Sequence, residues 1–114
     1  MAKFKFVEWL LLWLQENSHL EFDWDEGNRA KSASKHSVRT EETEEVFVLG
    51  QAAPLGVQVS PHVDEERLGI VGPTSGGRIL HVVFTLRDGK VRPISARPAH
   101  KKERELYDAY VREI

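Results

Sequence analysis

The dipeptide Asp88-Gly89, set between the runs 79–86 and 91–96, constrains this chain more than any other feature. Both runs are rich in β-branched and aromatic residues, and Asp-Gly accepts the positive φ angles of a tight two-residue turn. Arg87-Asp88-Gly89-Lys90 therefore predicts a hairpin. Pro93 has no amide hydrogen to donate, so it marks the second strand as an edge or a bulge. Pro98 then breaks the chain, and residues 99–112 predict a closing helix with Leu106, Tyr110 and Ile114 at spacings of four. Upstream, residues 66–71 alternate weakly as another strand, and the run from Gly72 to Gly77 is a turn. Residues 50–63, rich in Gly, Ala, Pro and Val, predict a loop with at most one edge strand.

The first half is helical by pattern. Glu21-Phe22-Asp23-Trp24-Asp25 alternates acidic and apolar, which predicts a short strand with Phe22 and Trp24 inward. Asp25 is a suitable N-cap for a helix reaching Lys35, and Thr40 opens another whose first-turn acids suit the positive end of the helix dipole. Gly50 ends it. Phe6, Leu10, Trp13 and Leu14 share one face of an N-terminal helix, with Trp9 and Leu12 alongside. A stretch this apolar must cover itself with its own domain, a second copy or another chain, and the order of preference is its own domain, then a homodimer, then a membrane surface. Glu8 interrupts it and no small-residue cleavage site follows, which argues against a signal peptide. It is also far too short to span a bilayer. The expectation is an α+β fold: a small antiparallel sheet packed with helices over residues 21–114, preceded by an apolar helical extension over residues 1–20.

At 40% apolar and 30% charged, the 114 residues are enough for one core and exclude a disordered chain. The absence of cysteine removes disulfides, thiolate metal sites and a thiol nucleophile, and it suits the cytoplasm. The net charge of −2 conceals an asymmetry. Residues 21–48 hold eight acids and four bases, whereas residues 87–104 hold seven bases and two acids. Such a split points to a polyanion at one region of the surface. The five histidines lack metal-ligand spacing, no phosphate-binding glycine loop follows a strand, and no nucleophile elbow occurs. Neither a metal nor a cofactor is expected.

What remains is a cationic set. Lys35 and His36 follow the first helix of the main domain, Arg67 opens a strand, and Arg97 closes the hairpin. Arg92, Lys101 and Arg104 add positive charge beside them. Cleavage of an RNA phosphodiester calls for such a set. An imidazole can move a proton near neutral pH, while guanidinium groups grip phosphate oxygens in pairs and stabilise the added charge of the transition state.

The chain also resembles a known family. From about Glu21 to Tyr110 it is similar to the BrnT family of type II toxins, small ribonucleases with a RelE-like fold. The resemblance rests on Glu21 to Asp25, Lys35-His36-Ser37-Val38, Glu44-Glu45-Val46-Phe47, and Glu66-Arg67 with Gly69 through Gly72. It continues through Leu80 to Thr85 and Ile94-Ser95-Ala96-Arg97, with Ala99, Glu103 and Tyr107. It implies metal-independent RNA cleavage, growth arrest, and a BrnA-type antitoxin that binds operator DNA. It also implies active-site roles for Lys35, His36, Arg67 and Arg97. The chain departs from the family pattern at Pro98, where a second basic residue is usual, and at Pro93, Ser37 and Ser32. A catalytically weak module that acts through its antitoxin complex is therefore the alternative to an active enzyme.

Overall fold

The computed structural model describes residues 2–16 and 19–113. Its elements run β1 (Lys3–Lys5), α1 (Glu8–Glu16), α2 (Glu26–His36), α3 (Thr40–Val48), β2 (Ala53–Ser60), β3 (Leu68–Pro73), β4 (Ile79–Arg87), β5 (Lys90–Pro98) and α4 (Lys101–Arg112). The strands form one antiparallel meander in chain order. The architecture is α+β, as expected.

Strand alternation divides the sheet into two faces. Leu68, Ile70, Leu80, Val82, Phe84 and Ala96 turn to one side, where Leu10 of α1, Val38, and Val46 and Phe47 of α3 complete the main core. Ala53 and Val71 turn to the other, beneath Ala99 and Tyr107 at the α4 end of the chain. Each of the valine, leucine, isoleucine and phenylalanine side chains among them, once buried, stabilises the fold by roughly 1.5–3 kcal/mol.

The hairpin follows the expected chemistry: Asp88 and Gly89 both hold positive φ, at 52° and 76°. Pro93 lies on the outermost strand at an irregularity in register, where Val83 faces Ser95 but Phe84 faces Pro93. α2 covers that edge. Asn28 Nδ2 donates to the Pro93 carbonyl at 3.0 Å, and the Ala96 amide donates to Ser32 Oγ at 2.9 Å. The edge groups that a neighbouring strand would have bonded are thus bonded by helix side chains.

Several expectations change. Residues 21–25 do not form a strand. They make a single parallel bridge, Phe22 to Val91, before Asp25 caps α2 by accepting from the Asn28 amide. The segment expected as a loop holds the eight-residue β2, which is internal because β1 pairs with it. β1 itself has no sequence signature; its pairing is made possible by Gly56. A Cβ there would stand 1.9 Å from the Lys5 carbonyl oxygen, and φ of +128° already disfavours other residues. On α4, Tyr107 is the buried residue and Leu106 is 43% exposed, one position away from the expected stripe. Ile114 lies outside the described residues. In α1, Leu10 is fully buried and Trp13 stacks on Phe84 at 5.8 Å, whereas Trp9 and Leu12 face outward; Phe6, expected on the same helical face as Leu10, precedes the helix and is exposed. Among the described residues, no helix is long and apolar enough to cross a membrane.

Candidate functional site

The α4 face of the sheet is only partly covered. Tyr107 fills one end, and beyond it lies an open cleft of about 340 Å3. Its floor is Val83 and Ser95, cross-strand partners of β4 and β5, with His81 and Arg97 as the next facing pair. Arg67, the residue before β3, closes one side, and Lys31 of α2 and His100 at the start of α4 close the others. Among the described residues lining the cleft none is acidic.

Arg97 is held rigidly. Its two terminal nitrogens donate to the two oxygens of Glu103, each at 2.8 Å, and Nη1 also donates to the Pro98 carbonyl. This leaves Nε–H and one Nη2–H, a second two-donor edge suited to a phosphate. Glu103 Oε1 accepts as well from the His100 amide, which ties the start of α4 to the end of β5. Burial alone drives the Glu103 carboxyl upward, but the Arg97 hydrogen bonds and the His100 amide outweigh it and hold the group at about 2. Arg67 has no ion-pair partner among the described residues, and its Nε is buried without a hydrogen bond.

Arg67 and Arg97, far apart in sequence, therefore meet in one cleft. Lys35 and His36 are not among the residues that line it. They occupy the last turn of α2, where Lys35 follows Lys31 at i+4 and so stands roughly 6 Å further along the same flank. His36 continues the row of Asn28 and Ser32 that faces β5. The remaining basic candidates are engaged elsewhere. Arg92 pairs with Asp25 at 2.7 Å and Asp23 at 3.5 Å, Lys101 lies 3.9 Å from Glu105, and Arg104 donates to the Ala99 carbonyl. None of the three lines the cleft.

Sequence reading passed over Lys31 and His81. Lys31 was legible as the i−4 neighbour of Lys35. His81 was marked by being the one imidazole inside the apolar run 79–86, where alternation turns it away from Leu80 and Val82. Burial pushes its imidazole down to about 4, against the pull of Glu103 and with Arg97 and His100 adding to the effect. The ring is thus neutral in the folded protein at pH 7 but readily protonated in the unfolded chain. A depressed histidine stabilises the fold above its unfolded value of 6.5, and that stability is lost as pH falls through about 4. Denaturant titration at pH 5 should give a free energy about 2 kcal/mol below that at pH 7 from this group. His81→Phe should erase most of the difference; an unchanged gap between the two pH values counts against the assignment.

A meander sheet that leaves an acid-free, arginine-lined cleft beside its last helix is the layout of a protein that receives an anion. The fold is similar to that of the ribonuclease toxin BrnT of Brucella abortus, known from a 1.1 Å crystal structure. The TM-score is 0.53 and the identity 23%, with 73% of this chain and 100% of the Brucella chain covered. No curated protein matches. The family described as "Ribonuclease toxin, BrnT, of type II toxin-antitoxin system" matches residues 24–103, well over half of the chain. The chain belongs to the BrnT family. As a type II toxin it implies an RNA substrate and an antitoxin partner.

Proposed function

We propose that this chain is a RelE-like endoribonuclease that cleaves RNA without a metal ion, arrests growth in the cytoplasm, and is neutralised by a BrnA-type antitoxin. The observation that carries the reading is the meeting of Arg67 and Arg97 in one cleft whose described lining holds no carboxylate. In the reaction the 2′-hydroxyl attacks the adjacent phosphorus, the O2′–P bond forms, and the P–O5′ bond breaks. The free edge of Arg97 and the unpaired Arg67 take the charge that accumulates on the phosphorane. Lys35 and His36, at the end of α2 beyond Lys31, supply proton transfer. Arg92, Lys101 and Arg104 bind flanking RNA once they exchange an internal partner for phosphate. Residues 21–114 correspond to the toxin domain, and residues 1–20 extend it by adding β1 to its sheet and Leu10, Trp13 and Leu14 to its core, with the exposed Trp9 left to meet a second copy. Operator DNA is reached only through the antitoxin.

A second reading is favoured by the Arg97–Glu103 pairing. With one edge of Arg97 spent and Pro98 in place of a second cation, the cleft lacks a donor worth about 2–4 kcal/mol of transition-state stabilisation. The chain is then a binding module that acts through its antitoxin complex.

Incubation of the purified protein with RNA in EDTA tests the first reading. Cleavage is the expected result, and intact RNA removes the enzyme. Expression without the partner separates the two: growth arrest marks the enzyme, while harmless expression with tight partner binding marks the module.

A further inference from the structure

His81 is a cleft residue to which the mechanism above gives no task. It is 4% exposed, and neither Nδ1 nor Nε2 has a hydrogen-bond partner among the described residues. Buried ring nitrogens left unpaired are costly and uncommon, and such a pair on the wall of a cleft calls for a group that completes it. Its surroundings are specific. Arg97 is its neighbour across the β4–β5 pair, and Glu103 Oε2 stands 3.9 Å from Nδ1. Phe4 of β1 lies edge-on with ring centroids 5.6 Å apart, in a seat that exists because residue 69 is glycine. A Cβ on Gly69 would come within 2.7 Å of the Phe4 ring. The charged and titratable groups facing the imidazole are therefore Glu103 and His100 from α4 and Arg97 from β5, with Arg67 across the cleft.

We propose that His81 is a further catalytic residue, the base that takes the proton of the attacking 2′-hydroxyl. The proposal rests on the ribonuclease reading. With Nδ1–H assigned to the side of Glu103, 3.9 Å away, the lone pair of Nε2 is the one left to meet a substrate. As the O2′–P bond forms, the hydroxyl proton passes to Nε2. The resulting imidazolium lies against the Glu103 carboxylate, which is already ionised. The P–O5′ bond breaks as Lys35 or His36 protonates the departing oxygen. Burial holds His81 neutral at pH 7, so the lone pair is present when substrate arrives, and a neutral ring adds no charge to compete with the arginines for phosphate. Glu103 orients two groups at once, Arg97 through two hydrogen bonds and His81 through its charge.

The test uses the full chain, a short RNA and EDTA, with kcat and KM measured separately. His81→Gln should lower kcat by about 100-fold or more, the range of a lost general base, and leave KM within about threefold. A retained kcat overturns the proposal. His81→Ala opens a space the size of the ring, so added imidazole should restore at least about tenfold of the loss, whereas toluene, of similar size but unable to take a proton, should restore nothing. Rescue by toluene as well shows a packing role only and overturns it. If the unsubstituted protein leaves RNA intact, the ribonuclease reading falls and this proposal with it. If it cleaves and His81→Gln cleaves equally, only the role of His81 falls.

Discussion

Arg97→Ala should lower kcat/KM for RNA cleavage by about 100- to 1,000-fold, the cost of removing one preorganised donor from a developing oxyanion. The guanidinium is fixed before substrate arrives, because both oxygens of Glu103 hold it from behind. Its remaining edge therefore needs little reorganisation to meet a phosphate. The same substitution removes the cation from Glu103, which is only 18% exposed and keeps just the His100 amide, so a stability loss of about 1–3 kcal/mol should accompany the kinetic one. Arg97→Lys restores the charge but not the two-pronged geometry, and it should recover only part of the rate. The measurement is cleavage of a short RNA in EDTA, with the folded fraction of each variant checked by circular dichroism. Equal cleavage by folded Arg97→Ala removes this residue from the mechanism.

Leu10→Ala should destabilise the protein by about 2–5 kcal/mol, a large part of the roughly 5–15 kcal/mol that holds a domain of this size. Leu10 is fully buried and belongs to the same cluster as Phe47, Phe84 and Val46, with Val7, Trp13 and Leu14 packed beside it. Leu12→Ala, at a site 44% exposed, serves as the control and should change stability by less than about 0.5 kcal/mol. Urea midpoints decide between them. Deleting residues 1–18 goes further, since it strips β1 from the edge of β2 and takes the Phe4 ring from Gly69. The truncated chain should be insoluble or unfolded. A soluble truncation with an unchanged urea midpoint would show that this segment has no part in the core.

The parts of this fold that were legible are those set by local chemistry. Asp88-Gly89 selects its turn because few residues tolerate two consecutive positive φ angles. Asp25 caps α2 where the capping rule places it, and the acids of the first turn of α3 suit the helix dipole, although Arg39 rather than Thr40 is the N-cap there and its amide donates to Glu42. Pro93 sits on an edge because a strand interior would leave a carbonyl without its amide partner. Arg67 and Arg97 were also legible as chemistry, since few side chains hold a phosphate, although nothing local says that they meet.

Distance along the chain decided the rest. β1 and the full length of β2 exist only because each supplies hydrogen bonds to the other, and Gly56 removes the side chain that would keep them apart. Residues 21–25 had a strand pattern, yet α2 begins too soon for more than one bridge, and helix side chains then complete the edge of β5. The charge balance of residues 87–104 showed a basic region, but it could not show that Arg92 is neutralised by Asp23 and Asp25 while Arg67 keeps an unpaired nitrogen. Sequence by itself determined the tight hairpin, the main helices and which side chains are cations, because turn torsions, helix propensity and side-chain functional groups are local properties. Only the tertiary structure decided which cations remain available and that a neutral histidine stands among them, because pairing and desolvation depend on what the folded chain brings near.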